Sequence, residues 1–129
     1  MNSESIRILI VDDHKVVRKG LEVFLEIHDD FELVGEATSA EEALKICNTA
    51  KPNIILMDLI MPRMSGVDAI RLIREKHQDV HIIALTSYSD EQLIRDALNA
   101  GATSYLLKDA DINELAHTIR LAHAGKSTL

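Results

Sequence analysis

The chain has 129 residues, 47% hydrophobic and 27% charged, which is ordinary globular composition and enough chain for one core without cross-links. Its formal net charge of −7 argues against direct nucleic-acid binding by this domain, which needs a clustered basic face. The single cysteine, Cys47, excludes an internal disulfide and a cysteine-based zinc site, and with no membrane-length apolar run and no basic leader the chain reads as cytoplasmic, with no membrane partner.

The first apolar run, Ile6–Val11, predicts a strand that stops at Asp12-Asp13. A helical pattern follows over Lys15–Ile27. Val17, Leu21, Phe24 and Leu25 make one apolar face of it, and Val16, Gly20, Val23 and Ile27 make a second beside it. Phe31–Ala37 alternates in polarity and is placed at a sheet edge. Ser39, with Glu42 three residues on, forms a capping-box pattern before a helix over Ala40–Ala50, and Pro52 lies just beyond its end. Ile54–Met57 is apolar throughout and stops at Asp58. Ser65 caps a third helix over Val67–Lys76. Ile82–Leu85 is a fourth strand ending at Thr86, and Ser89 or Asp90 caps a helix over Glu91–Ala100, closed by Gly101. Ser104–Leu107 leads into Lys108, and Asp111 caps the last helix, Ile112–Ala124, closed by Gly125. On that helix Ile112, Leu115, Ala116, Ile119 and Ala122 should face the sheet, leaving His117 and Leu121 outward. Strand and helix alternate five times, which predicts an α/β fold: a parallel sheet with right-handed crossovers in a three-layer α/β/α sandwich.

Parallel strands would gather Asp12, Asp13, Asp58, Thr86 and Lys108 at the carboxyl edge of the sheet, where open α/β folds place their ligands. Three carboxylates so close repel one another, and a hard divalent cation such as Mg2+ removes the conflict. Alone, Asp12-Asp13 ahead of a helix is more often a cap; the third acid at Asp58 turns the reading toward a metal site. A lone carboxylate at Asp58 can attack phosphorus to give an acyl phosphate, with Lys108 and Thr86 serving the phosphoryl oxygens. His14 is assigned to packing at the helix N-terminus, because magnesium prefers oxygen.

These stretches carry a resemblance. Ile10-Val11-Asp12-Asp13-His14, Leu56-Met57-Asp58-Leu59-Ile60-Met61-Pro62-Arg63-Met64-Ser65-Gly66, Ala84-Leu85-Thr86-Ser87 and Ala100-Gly101-Ala102-Thr103-Ser104-Tyr105-Leu106-Leu107-Lys108 resemble a response-regulator receiver domain over nearly the whole chain. The resemblance implies a flavodoxin-like, CheY-like sheet of order 2-1-3-4-5 and a phosphoryl group accepted at Asp58 from a sensor histidine kinase. It implies Mg2+ bound directly by Asp13, Asp58 and the backbone carbonyl of Ile60, with Asp12 acting through water. Thr86 and Tyr105 match the family's switch pair, and Lys108 its lysine. Many receivers carry proline where this chain has Asp109, which leaves the geometry of the Lys108-Asp109 bond open. The Val11-Asp12-Asp13-His14 stretch and the ending Ala122-His123-Ala124-Gly125-Lys126 resemble the NarL/FixJ (LuxR-type) subfamily of two-component transcription factors. That implies a receiver over residues 1–124, and residues 125–129 beginning a linker to a C-terminal helix-turn-helix that would supply DNA binding.

On this reading phosphorylation draws Thr86 and Lys108 inward, Tyr105 takes the vacated space, and the fourth helix, fifth strand and fifth helix form the output face. Ile60 cannot orient an attacking water and Tyr88 can cover the phosphoryl group, so self-dephosphorylation should be slow. The surface of the first and fifth helices, including Val23 and Leu121, is expected to dock the kinase or form a phosphorylation-promoted homodimer. Alternatives are a stand-alone receiver or scaffold acting by protein-protein contact, and a Mg-dependent aspartyl-phosphate hydrolase. The hydrolase would need an Asp-x-Asp pattern after the first strand, and a flavin-type carrier would need a phosphate-binding loop where Asp12-Asp13 stands.

Overall fold

The computed structural model describes residues 5–87 and 90–125. Strands β1 (Ile6–Val11), β2 (Phe31–Ala37), β3 (Ile54–Asp58), β4 (His81–Thr86) and β5 (Ser104–Leu107) alternate with helices α1 (Lys15–Ile27), α2 (Ala40–Ala50), α3 (Gly66–Lys76), α4 (Glu91–Ala100) and α5 (Ile112–His123). All four strand pairings are parallel and the sheet order is β2-β1-β3-β4-β5, with β2 at an edge as its alternating pattern requires.

Successive strand side chains point to opposite faces, so each apolar run serves two cores. Leu9, Val11, Ile55, Met57, Ile82 and Ala84 pack under α2, α3 and α4. Ile8, Ile10, Ile54, Leu56, Ile83 and Leu85 pack under α1 and α5. Burial on both faces explains why Ile8–Val11, Ile54–Met57 and Ile82–Leu85 are apolar without a break, while Arg7 and His81 fall at the entering ends of β1 and β4.

Helix starts follow the chemistry of orphan N–H groups. Ser39 Oγ accepts from Glu42 N, Ser65 Oγ from Asp68 N, and Asp111 Oδ1 from Asn113 N. Asp90 caps α4 by accepting from Gln92 N and Leu93 N, while Ser89 lies outside the described residues. The capping box at α2 closes one residue earlier than its pattern predicts. The Glu42 carboxylate accepts from Thr38 N and Thr38 Oγ1, so the reciprocal half serves the residue before the cap. Asp12 and Asp13 are not the cap of α1. His14 holds that position without a side-chain cap bond, and both aspartates turn toward the sheet edge.

On α5, Leu115, Ala116, Ile119 and Ala122 are buried, but Ile112 is 55% exposed and Thr118 is buried in its stead. The helix meets the sheet only from its second turn, so its first turn contributes nothing to the core. His117 is exposed and Leu121 half-buried. Val16, Val23 and Ile27 stand exposed on α1, as the second apolar face predicts. No peptide bond among the described residues is cis, so Lys108-Asp109 is trans. No helix among them is long and apolar enough to cross a membrane.

One side chain joins elements far apart in sequence. Arg74, in the last turn of α3, donates to the carbonyls of Gly101, Gln78 and Val80. It thereby ties the end of α3 to the entry of β4 and the end of α4.

Candidate functional site

Four strands deliver a charged or hydroxyl group at one edge. Asp12 follows β1, Asp58 and Thr86 are the last residues of β3 and β4, and Lys108 follows β5. The register places them side by side, because Val11 pairs with Met57, Asp58 with Leu85, and Thr86 with Leu107. The Lys108 backbone N–H donates to the Thr86 carbonyl at 2.8 Å, which extends the ladder to the lysine itself.

The loop after Asp58 folds back sharply. Leu59 N donates to the Leu85 carbonyl and Gly66 N to the Leu59 carbonyl. Gly66 lies so close to this turn that a Cβ would fall on the Asp58 carbonyl oxygen and 2.5 Å from Leu59 Cα. Arg63 adopts φ 72°, a left-handed conformation that a non-glycine residue holds only when its surroundings fix it. This packed loop fixes the Asp58 backbone.

The acids converge. One ligating atom each from Asp12, Asp13, His14 and Asp58 lies within 4.8 Å of the others. Lys108 Nζ is 3.0 Å from Asp12 Oδ2 and 3.2 Å from Asp58 Oδ1, and Ile60 N donates to Asp58 Oδ1 at 3.2 Å. Burial pushes the Asp58 carboxyl above the usual carboxylate range; the Ile60 N–H opposes this, and the nearby Asp12 charge adds to it. Burial also pulls Lys108 down, but its bonds and proximity to Asp12 and Asp58 outweigh that and leave it above the ordinary lysine value. The ammonium is therefore firmly charged.

Two buried oxygens, Asp13 Oδ1 and Asp58 Oδ2, have no hydrogen-bond partner. Orphaned buried carboxylate oxygens are costly, and three carboxylates against one ammonium leave negative charge in excess. An oxygen-seeking divalent cation fits this donor set.

Of the residues expected at the site, Asp12, Asp13, Asp58, Thr86 and Lys108 meet at the edge. The Ile60 side chain is exposed at its mouth. Tyr105 pairs with Ala84, two residues below Thr86 on the same face of β4, so the tyrosine and the threonine share one face of the sheet. Tyr88 lies outside the described residues. His14 is a correction: it is not buried in helix packing but lies over the acids, with Nδ1 3.0 Å from Asp12 Oδ1 and 3.3 Å from Asp13 Oδ1. Its place directly after the acid pair was the available signal.

Residues 8–120 match the response regulator receiver domain family. The chain is 48% identical over 124 residues to the transcriptional regulatory protein YhcZ of Bacillus subtilis, covering 96% of this chain and 58% of that one. A LuxR-family two-component response regulator from Aurantimonas superposes with TM-score 0.91 at 33% identity, covering 96% of this chain and 89% of that one. The receiver domain of the response regulator NarL from Mycobacterium tuberculosis gives 0.90 at 26% identity, covering 96% of this chain and 100% of that one. The chain spans less than two thirds of YhcZ. Shared sheet order, a charged carboxyl edge and matched residues over most of the length agree: the chain belongs to the response regulator receiver domain family, with relatives of the NarL/LuxR type.

Proposed function

We propose that this chain is the phosphorylation-activated receiver of a longer transcription regulator, with Asp58 as phosphoacceptor and a sensor histidine kinase as donor. The observation that carries this reading is the Asp58 side chain, 2% exposed at a strand end, one oxygen bonded to Lys108 and Ile60 N and the other without a partner. A carboxylate oxygen of Asp58 attacks the phosphorus of a phosphohistidine. An O–P bond forms as the N–P bond breaks, and the imidazole leaves with the bonding pair.

Asp12, Asp13, Asp58 and the Ile60 carbonyl would hold Mg2+, with Asp12 acting through water; when bound, the ion neutralises charge on the phosphoryl oxygens. Lys108 donates to those oxygens, and the Thr86 hydroxyl donates to another. The charge at Asp58 rises from one to about two, which favours the arrangement with Thr86 drawn in and Tyr105 moved into its space. A pre-existing equilibrium is thereby shifted. The chain's own chemistry stops at its phosphorylation and dephosphorylation, and output passes to a C-terminal DNA-binding domain.

Dimerisation or kinase docking belongs on α1 and α5. Val16, Val17, Gly20, Leu21, Leu107 and Leu115 line a cleft of about 260 Å³ between them, beside the exposed Val23 and Ile27. Val23→Glu and Leu121→Glu should lower kinase transfer or dimerisation; no change in either would remove this surface from the proposal.

The test of the site is intact mass after incubation with acetyl phosphate, with and without Mg2+, for the wild type and Asp58→Asn. A single Mg2+-dependent phosphoryl adduct, absent from the variant, is expected. An adduct that persists in Asp58→Asn would move the acceptor elsewhere.

A further inference from the structure

We propose that Arg18 is a positioning residue for the acid pair: by bridging the Asp12 carbonyl to Glu36, it fixes the turn that presents the Asp13 carboxylate to the divalent cation. Arg18 has this role only if the acidic pocket holds a cation, as proposed above.

The need for such a residue lies where the chain leaves the sheet. β1 ends at Val11, and Asp12 N still donates to the Ala37 carbonyl at 3.0 Å. The next group is outside the ladder. The Asp12 carbonyl accepts from Arg18 Nη1 at 2.8 Å, and it belongs to the planar peptide unit whose nitrogen is that of Asp13. Holding this carbonyl therefore sets the plane from which Asp13 departs. The Asp13 carboxylate has little else to direct it. Among the described residues it pairs only with the His14 ring, and its Oδ1 is buried without a hydrogen-bond partner.

The guanidinium is itself held. Its Nε is 3.3 Å from Glu36 Oε1, and the two side chains are only 17% and 27% exposed. Glu36 reaches this place through a β-bulge. Ile8 pairs with Leu33 but Leu9 with Gly35, so Val34 is an extra residue in β2. Without it, Glu36 would pair with Val11 and its side chain would enter the core under α2 and α3. With it, Glu36 pairs with Ile10 and stands on the face that α1 covers. Burial, and then the neighbouring Glu22, push the Glu36 carboxyl up; Arg18 opposes both and favours the charged partner.

Arg18 does not serve as a counter-ion of the pocket. Asp12 Oδ2 pairs with Lys108 and Asp12 Oδ1 accepts from His14 N, while among the described residues the one carboxylate paired with Arg18 is that of Glu36. The two roles have opposite consequences. Removing a cation that merely neutralised the acids would tighten the binding of a divalent ion. Removing a positioning residue loosens it.

The test is calorimetric Mg2+ affinity at neutral pH for the wild type, Arg18→Ala, Arg18→Lys, Glu36→Ala and the Arg18→Ala, Glu36→Ala double variant. Circular dichroism in EDTA checks that each is folded. Arg18→Ala should bind Mg2+ about tenfold more weakly. Acetyl phosphate should label it slowly at limiting Mg2+ but at the wild-type rate once Mg2+ saturates, a split that a merely structural role would not produce. Arg18→Lys keeps the charge without the two-armed bridge and should also bind more weakly than wild type. Glu36→Ala should act in the same direction, and the double variant should be no weaker than Arg18→Ala, because both act through one chain of contacts. Wild-type or tighter affinity in Arg18→Ala, wild-type affinity in Arg18→Lys, or additive losses in the double variant would overturn the assignment. If Arg18→Ala does not fold, Glu36→Ala decides, and unchanged affinity there sinks the proposal. Asp13→Asn separates the two levels. If it binds Mg2+ as wild type does, the cation reading of the pocket fails; if it binds weakly while Arg18→Ala and Glu36→Ala bind as wild type, only the role of Arg18 fails.

Discussion

Replacing Asp13 by asparagine removes one charge from the acidic pocket while keeping the shape of the side chain. The ligating atoms of Asp12, Asp13 and Asp58 lie within 4.8 Å of one another, and at an effective dielectric of about 20 each like-charged pair at that distance opposes folding by about 3.5 kcal/mol. Lys108 offsets the charges of Asp12 and Asp58, but among the described residues Asp13 is paired only with His14. The Asp13 side chain is 25% exposed, and solvent screening reduces the gross figure to a net of about 1–2 kcal/mol. In EDTA at neutral pH, Asp13→Asn should therefore be more stable than wild type by that amount, or about 3–8 °C in Tm for a chain of this size. Mg2+ at about a hundred times the wild-type dissociation constant should reverse the order. Wild type then gains about 2.7 kcal/mol, while the variant, short of a ligand, gains far less. Circular dichroism melts across a Mg2+ titration read both effects. A variant less stable than wild type in EDTA would show that repulsion is not the governing term. A variant with the full Mg2+ response would show that Asp13 is not a ligand. Acid has a defined sign here. Asp58 sits above its ordinary value of 3.8, so the folded state takes up its proton more readily than the unfolded chain, and its cost to stability eases as pH falls toward that value. Asp58→Asn, which removes this cost, should be more stable than wild type in EDTA at neutral pH, and that difference should shrink as the pH falls toward 3.8.

Gly66→Ala should cost about 3 kcal/mol or abolish folding, because the added carbon meets fixed backbone at Asp58 and Leu59; a wild-type denaturation midpoint would refute the close packing. Arg74→Ala should cost about 2–3 kcal/mol by leaving the part-buried carbonyls of Gly101 and Val80 without this donor, and Arg74→Lys should recover little because one ammonium cannot span acceptors on two separate segments. Cys47 is buried and its thiol is pushed up to about 11 by burial, so thiol reagents at pH 8 should leave it unmodified until denaturant is added. The phosphorylated chain should hold its phosphoryl group for many minutes, because the Ile60 side chain at the mouth of the site offers no polar atom to an attacking water; decay within seconds, followed by intact mass, would overturn that.

The fold was legible because its central strands β1, β3 and β4 are buried on both faces, which leaves near-continuous apolar runs with a polar residue marking each end. The strand limits moved by one residue at Asp58 and Thr86 because ladder pairing continues past the last apolar side chain. Periodicity registers burial and not hydrogen bonding, so a functional polar residue that closes a strand reads as lying outside it. The five groups at the carboxyl edge were legible for a related reason: in a parallel sheet, strand ends alone determine which residues meet. What escaped were contacts fixed by side-chain direction and long-range approach. Ile112 continues the apolar stripe of α5 and yet overhangs the sheet. Gly66 sits in a turn where many residues are possible until the Asp58 carbonyl is known to occupy its Cβ position. Arg74 resembles any basic residue at a helix end, and nothing local marks the carbonyls of Gly101 and Val80 as its partners. The exposed place of the His14 ring beside the acids escaped as well, because it depends on two aspartates turning away from the helix they precede.

If Asp58 is the phosphoacceptor, two mechanical routes would leave this cluster from different atoms. Lys108 bridges Asp12 and Asp58, and its backbone N–H bonds the Thr86 carbonyl. A second charge on Asp58 would then pull on the joined ends of β4 and β5, and through them on Tyr105, which shares a sheet face with Thr86. His14 begins α1, two residues before Val16, which is 85% exposed. On the same proposal, a change in the ring's contacts would act on the first turn of that helix and on the edge of its apolar cleft, so that the first route would answer to phosphoryl charge and the second to whatever occupies the space among the acids. If the routes are separate, His14→Phe should change the melting response to metal while phosphorylation, read in a Tyr88→Phe background, still alters Tyr105 fluorescence as it does without the His14 change. If Tyr105 loses its response in that variant, metal and phosphoryl signals share one path, and α1 then belongs to the switch itself and not merely to a docking surface.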